Sequence, residues 1–469
     1  MNIWISNGYI KRKPQHNVRY PVDIDREKQQ IQELLGTANH HGAVHGVKQP
    51  INDNSSRAML FSNMDNSENA YLPTDLGENG VVFKNNNSIN FKYNLLNQLL
   101  DATQVQGPWL DNHPLPLPVW ASQAKDVLKF DSVWQYEHFA TQVELQIQQL
   151  LEGHNYNTIG NFLALYQDFK QSGCYNLLDF LRTYLPPITP LHHTCVGLAV
   201  ELWTKLLRLN ENFPGLTNYL YLVSCEENIE TVDEYASLGD QLQTVVTSLE
   251  KEHVLLALRF EIAGRCGVLL CDPGYHVGRV ITVMTDQLYP HTGPFVQSQE
   301  AYSQKEYNYV FSSNMAFVQW TEVITKANGV KTQDVALIYI SKPYLTAVDV
   351  TERRNLVYNF RSLLSRSSKG VLKAGIYFKI KENYDEFTIF YQDANLKKRL
   401  KYNFGMFLHP ERIEESTRKA VSECSIQLNL SEGALESILT SLASILCDQN
   451  YVKQLLEINC QINTLAEDN

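Results

Sequence analysis

Three residues in this sequence combine side-chain type and position in a way that suits nucleophilic chemistry: Cys195, His253 and Asp272. Cys195 follows Thr194 and opens the apolar run CVGLAVELWTKLLRL, 195–209. Thr194 is a good N-cap, so the spacing predicts Cys195 at the first helical position. There the unpaired amides and the helix dipole stabilise a thiolate, and the same amides can hold a developing oxyanion. His253 opens the predicted strand HVLLALRFEI, 253–262, and Asp272 closes the next, GVLLCDPG, 267–274. The link AGRC, 263–266, flanked by Gly264 and Gly267, is a hairpin signal. Counting outward from a turn at Ala263–Arg265, residue 253 + k faces roughly residue 275 − k, which brings His253 and Asp272 to one end of the hairpin. A one-residue slip would turn a side chain to the wrong face. In this arrangement Asp272 fixes the imidazole tautomer and His253 takes the thiol proton.

Each of the three also has an ordinary reading. A cysteine in an apolar helix usually packs, a histidine at a strand start is usually a surface residue, and an aspartate before Pro-Gly is usually a turn former. Their joint placement, in the order Cys, His, Asp, favours chemistry. His192 and His193 precede Cys195, but no fourth ligand follows at finger-like spacing, so no metal is expected. His276 and His291 read as loop residues, and the pair Glu226-Glu227 reads as a solvated loop. The chain has no GxxxxGK[ST] loop, no strand-linked GxGxxG and no HExxH.

The elements that must position the three residues follow from periodicity. Residues 1–95 are polar and rich in Asn, Gly and Ser and read as a partly irregular extension. Residues 96–190 hold a Pro-rich connector and helices with apolar stripes through Phe139, Val143 and Ile147, through Ile159, Phe162 and Leu165, and over 177–185. The Cys-His-Asp core spans 191–300, with a further helix around 237–250. An antiparallel β region spans 301–410, with strands at 307–320, 335–340, 371–380 and 386–391. A helical tail covers 411–469. Helices, then antiparallel strands, then helices make an α+β protein.

The region from about 160 to 400 resembles the arylamine N-acetyltransferase family, a branch of the transglutaminase-like, papain-fold enzymes. The family's histidine motif is His, two residues, Leu, one residue, Val; here it reads His253-Val254-Leu255-Leu256-Ala257-Leu258. Its aspartate motif, Val-Asp-Val-Gly-Phe-Gly, is similar to Cys271-Asp272-Pro273-Gly274-Tyr275-His276. At the nucleophile the family writes Arg-Gly-Gly-x-Cys-x-Glu-x-Asn, where this chain has Leu191-His192-His193-Thr194-Cys195-Val196-Gly197-Leu198-Ala199. The resemblance implies a papain-like cysteine core with Cys195, His253 and Asp272 as its triad. It further implies acyl transfer through a thioester, of the N-acyltransferase, amide hydrolase or transglutaminase kind, with acetyl-CoA or another acyl-CoA as donor and a small amine or a peptide as acceptor. The alternative is a catalytically inactive papain-fold scaffold, engaging a protein partner through the N-terminal extension or the helical tail.

Bulk properties narrow the classes. The 469 residues are 44% hydrophobic and carry a formal charge of −11, which argues against nucleic-acid binding. No window approaches the ~20 apolar residues of a membrane span. The start, MNIWISNGYIKRKPQ, does not read as a secretory leader, and eight cysteines scattered without CxxC pairs fit a reduced cytoplasmic setting.

Overall fold

The hairpin that carries His253 and Asp272 is built by two strands whose buried residues run almost without interruption. The computed structural model describes residues 105–467, apart from 112, 189–193, 238–250, 301, 383–385 and 395. The expected N-terminal extension, most of the helix expected at 237–250 and the His192–His193 pair lie outside the described residues.

In chain order the elements are β1 (Leu128–Phe130), α1 (Val133–Gly153), β2 (Tyr156–Asn157), α2 (Ile159–Ser172), α3 (Leu177–Thr183), α4 (Cys195–Leu206), β3 (Leu220–Glu226) and α5 (Val232–Ser237). The strands β4 (His253–Ile262), β5 (Arg265–Cys271), β6 (Ile281–Met284), β7 (Phe295–Gln299), β8 (Ser303–Phe311), β9 (Phe317–Lys326) and β10 (Lys331–Tyr339) follow. A π-helical turn, Ala347–Glu352, leads into α6 (Arg353–Val357). Next come β11 (Phe360–Arg366), β12 (Leu372–Lys379), β13 (Glu386–Asp393) and β14 (Leu396–Asn403), and then α7 (Glu415–Gln427), α8 (Ala434–Leu446) and α9 (Gln449–Glu467). The protein is α+β.

One sheet runs β6-β5-β4-β3-β10-β9-β8-β7, antiparallel throughout, with β1 added parallel to β4. It crosses the boundary expected near residue 300, because β3 pairs with β10. The second sheet, β14-β13-β12-β11-β2, is also antiparallel. The single strand expected at 307–320 is two strands, β8 and β9. Ser312 and Asn314 explain the break: Ala316 donates its N–H to Asn314 Oδ1 and Phe317 donates to Ser312 Oγ, which closes a turn.

Two apolar clusters hold these layers. Tyr221, Val223, Leu255, Leu270, Val283, Trp320 and Ile338 fill one face of the first sheet. Phe162 and Leu165 of α2, Ile376 and Ile389 of the second sheet, and Leu439 and Leu455 of the C-terminal helices fill the other cluster. Helix α4 packs against β4, which sets the Cys195 end of the helix against the His253 end of the strand.

Candidate active site

Helix α4 begins where its sequence predicts. Thr194 is in an extended conformation, its hydroxyl accepts from the Val196 N–H at 3.2 Å, and its carbonyl accepts from Leu198 N–H at 2.9 Å. Cys195 is therefore the first helical residue, and it is 1% exposed.

The β4–β5 hairpin turns on two residues, not three. Ile262 pairs with Arg265 across Ala263 and Gly264, whose φ values of 49° and 85° are those a tight two-residue hairpin turn requires. The expected register is thus one residue off: Leu256 pairs with Cys271, and 253 + k faces 274 − k. This difference decides the site. Extended by one residue, the observed register sets Asp272 opposite Leu255, on the same face as His253, whereas the expected count would have turned it to the other face.

The three side chains meet. Asp272 Oδ1 lies 2.9 Å from His253 Nε2, and the Cys195 thiol is within hydrogen-bonding reach of the imidazole. Nε2 being engaged by the carboxylate, Nδ1 is the ring nitrogen left for the thiol. Both residues close on Gly274: a Cβ there would sit 2.7 Å from His253 Cε1 and 2.8 Å from Cys195 Cβ. The next residue, Tyr275, donates its N–H to Asp272 Oδ1 at 3.0 Å and sets its ring edge-on to the imidazole at 4.3 Å. Burial pulls the His253 pKa down, but the Asp272 charge and hydrogen bond, with the Cys195 thiol, outweigh it and lift the imidazole to about 10.

Two residues that the sequence reading passed over complete the surroundings. Glu352 ends the π-helical turn and Asn355 follows one turn later, so both project to one side. Asn355 Nδ2 donates to Cys195 Sγ at 3.6 Å. Glu352 accepts from the Thr194 hydroxyl through one oxygen and from Asn161 Nδ2 through the other. Burial raises its carboxyl to about 7, although these two hydrogen bonds and the Arg361 charge pull the other way. The run Glu352-Arg353-Arg354-Asn355 is buried in the fold, but in the sequence it reads as an ordinary polar stretch and carries no local signal of that burial.

The pair Glu226-Glu227 is not a solvated loop. Both are buried: Glu226 Oε2 lies 2.5 Å from Lys251 Nζ, and Glu227 accepts from the Tyr275 hydroxyl. These partners hold the carboxylates inside where the sequence shows only polarity. His276 is in the loop as expected but buried, its Nδ1 2.9 Å from Arg366 Nη1. The same Arg366 nitrogen donates to Pro273 O at 2.8 Å, which ties down the loop carrying Gly274. Burial and the Arg366 charge hold the His276 ring far below the usual imidazole range. Among the described residues no cluster of three or more His, Cys, Asp or Glu is arranged to hold a metal. No helix among them is long and apolar enough to cross a membrane.

Comparison of the chain with protein-family models, with curated proteins and with solved structures finds no match to any of them.

Proposed function

We propose that this protein carries a papain-like core that transfers acyl groups through a thioester on Cys195. The observation that supports this reading most is the meeting of thiol, imidazole and carboxylate from a helix start and two neighbouring strands. Cys195 Sγ, its proton already resting on the His253 imidazole that is lifted to about 10, attacks the donor carbonyl carbon and forms the C–S bond. Asp272 holds the imidazole by Nε2 and offsets its charge. Asn355 Nδ2 and the backbone N–H of Cys195 are the donors for the developing oxyanion. Collapse expels the leaving group, which takes its proton from His253. An amine or water then attacks the thioester, gives its proton to His253, and releases the thiol.

An acyl-CoA donor remains part of this proposal only through the resemblance of the β4–β5 motifs. Its phosphates need accessible cations, and the arginines around the site, Arg353, Arg354, Arg361 and Arg366, are fully buried. A small activated acyl ester therefore makes the better first substrate. Incubation with such an ester, and in parallel with acetyl-CoA, is expected to add one acetyl group to Cys195 by peptide mass mapping. His253→Ala should slow that step by roughly 10²–10⁴-fold, and Cys195→Ala should abolish it. Acetylation spread equally over the exposed Cys266, Cys447 and Cys460 would end the proposal.

One observation favours a second reading, a non-catalytic scaffold. Cys195, His253 and Asp272 are only 1%, 2% and 2% exposed, so substrate must open the site before it can react.

A further inference from the structure

Tyr156 reaches the neighbourhood of the thiol from an element that supplies none of the three catalytic side chains. It belongs to β2, where it pairs with Leu364 of β11. Arg361, near the start of β11, donates through Nη1 to Asn355 O at 2.8 Å and to Thr158 O at 3.4 Å. Residues 156–158 are thereby tied to the helix whose Asn355 amide meets Cys195 Sγ. Arg366, at the other end of β11, donates through Nη2 to His154 O and through Nη1 to Pro273 O, both at 2.8 Å. That joins the approach to β2 with the loop of Gly274. The Tyr156 ring stands edge-on to His276, centroids 5.7 Å apart, two residues past the glycine that abuts Cys195.

The ring is held, and the hydroxyl is not. Tyr156 is 2% exposed, and among the described residues its hydroxyl makes no hydrogen bond. A buried tyrosine ordinarily finds a partner for that group. Tyr309, Tyr377 and Tyr451 share the want, but Tyr156 faces the nucleophile. Burial first, then the charge of Cys195 and that of Glu352, hold its pKa well above the usual phenol range. The phenol therefore stays a neutral donor wherever the thiolate is formed. A hydroxyl without an acceptor in the resting site gains one when an oxygen arrives beside Sγ.

We propose that Tyr156 is a further catalytic residue, whose hydroxyl donates to the acyl carbonyl oxygen as Cys195 Sγ attacks. The assignment rests on the thioester reading above and adds a residue to it. As the C–S bond forms, the carbonyl π electrons move onto the oxygen. Tyr156 gives that oxygen a hydrogen bond without transferring its proton, beside Asn355 Nδ2 and the Cys195 N–H. Collapse returns the electrons to the carbonyl and expels the leaving group. The hydrogen bond is thus strongest while the oxygen carries charge, which is the condition for accelerating the step.

The test compares the full chain with Tyr156→Phe, which removes one oxygen and keeps the ring against His276. Two reactions of Cys195 are timed in each protein: acylation by an activated acetyl ester and alkylation by iodoacetamide. Acylation builds charge on a carbonyl oxygen. Alkylation displaces iodide from a saturated carbon and builds none. Tyr156→Phe is expected to slow acylation by roughly 10²–10³-fold, to leave alkylation unchanged, and to keep Tm at or above that of the parent. Equal acylation rates in the two proteins overturn the proposal. So does a matching loss in both reactions, because the hydroxyl would then act on the thiolate or the fold. A parent that takes no acyl group at Cys195 removes the thioester reading itself, and this assignment with it. The two failures are therefore told apart by the parent alone.

Discussion

At Gly274 the site tolerates no side chain at all, and the reason is geometric. The position a Cβ would take is within 3 Å of both Cys195 Cβ and His253 Cε1, and neither atom is the free end of a flexible chain. Gly274→Ala must therefore push helix start and strand start apart. We expect a loss of about 1–3 kcal/mol in urea unfolding and a fall in acylation of Cys195 larger than stability explains. An alanine variant as stable and as reactive as the parent would show that the two residues are not held in contact. Asn355 makes a different prediction, because its amide meets the sulfur directly. Asn355→Ala should slow single-turnover acylation by roughly 10²–10³-fold if the amide meets the oxyanion. Its effect on the unfolding free energy in urea should be only about 1 kcal/mol. A purely structural role would reverse that order.

At the scale of elements, the turn from 347 to 357 links the start of α4 to the packing behind it. Glu352 grips Thr194, the cap of α4, and its carboxyl is raised by burial from 4.5 to about 7. The folded chain then binds this proton more tightly than the unfolded chain does. The contribution to stability is complete below pH 4.5 and falls as pH rises to about 7, by on the order of 3 kcal/mol. His253, lifted from 6.5 to about 10, contributes fully below pH 6.5 and loses its contribution as pH climbs to about 10. Urea midpoints measured from pH 4.5 to 10 should decline in two steps. Glu352→Gln is expected to remove the lower step and His253→Gln the upper; curves parallel to the parent would contradict both assignments.

The same elements show what was legible in advance. A threonine before an apolar helical run announces its own cap, because capping is local chemistry, and that placed Cys195 correctly. The hairpin was legible as a hairpin, but its register hung on whether the turn took two residues or three. Ala263 gives no sign of the positive φ it adopts. Glu226, Glu227, Glu352 and Asn355 were illegible for a deeper reason. Their partners are Lys251, Tyr275, Thr194 and Cys195, between 25 and 160 residues away. Only tertiary pairing distinguishes such a residue from a solvated one.

At the scale of the whole molecule, the C-terminal helices are where sequence and structure invite opposite experiments. Amphipathic stripes such as Leu435, Leu439 and Leu442 read equally well as a surface offered to a partner or as core. In the fold they are core: these residues are fully buried in the same cluster as Phe387, Phe404 and Phe407. Polar contacts fasten the layer further, with Lys170 Nζ 2.7 Å from Asp448 Oδ2 and Leu177 N–H donating to Gln454 Oε1 at 2.7 Å. Helix α9 also packs on α6, the element that carries Asn355. A tail used only for docking would be removable without cost. A chain ending at residue 410 is instead expected to lose its single cooperative unfolding transition, because one face of the second sheet loses its cover. Leu439→Ala gives the graded version, a loss of about 2–5 kcal/mol by chemical denaturation. If the shortened chain unfolded as one sharp transition at an unchanged midpoint, the helices would be an appendage, and Asn355 would owe its position to α4 and the π-helical turn alone.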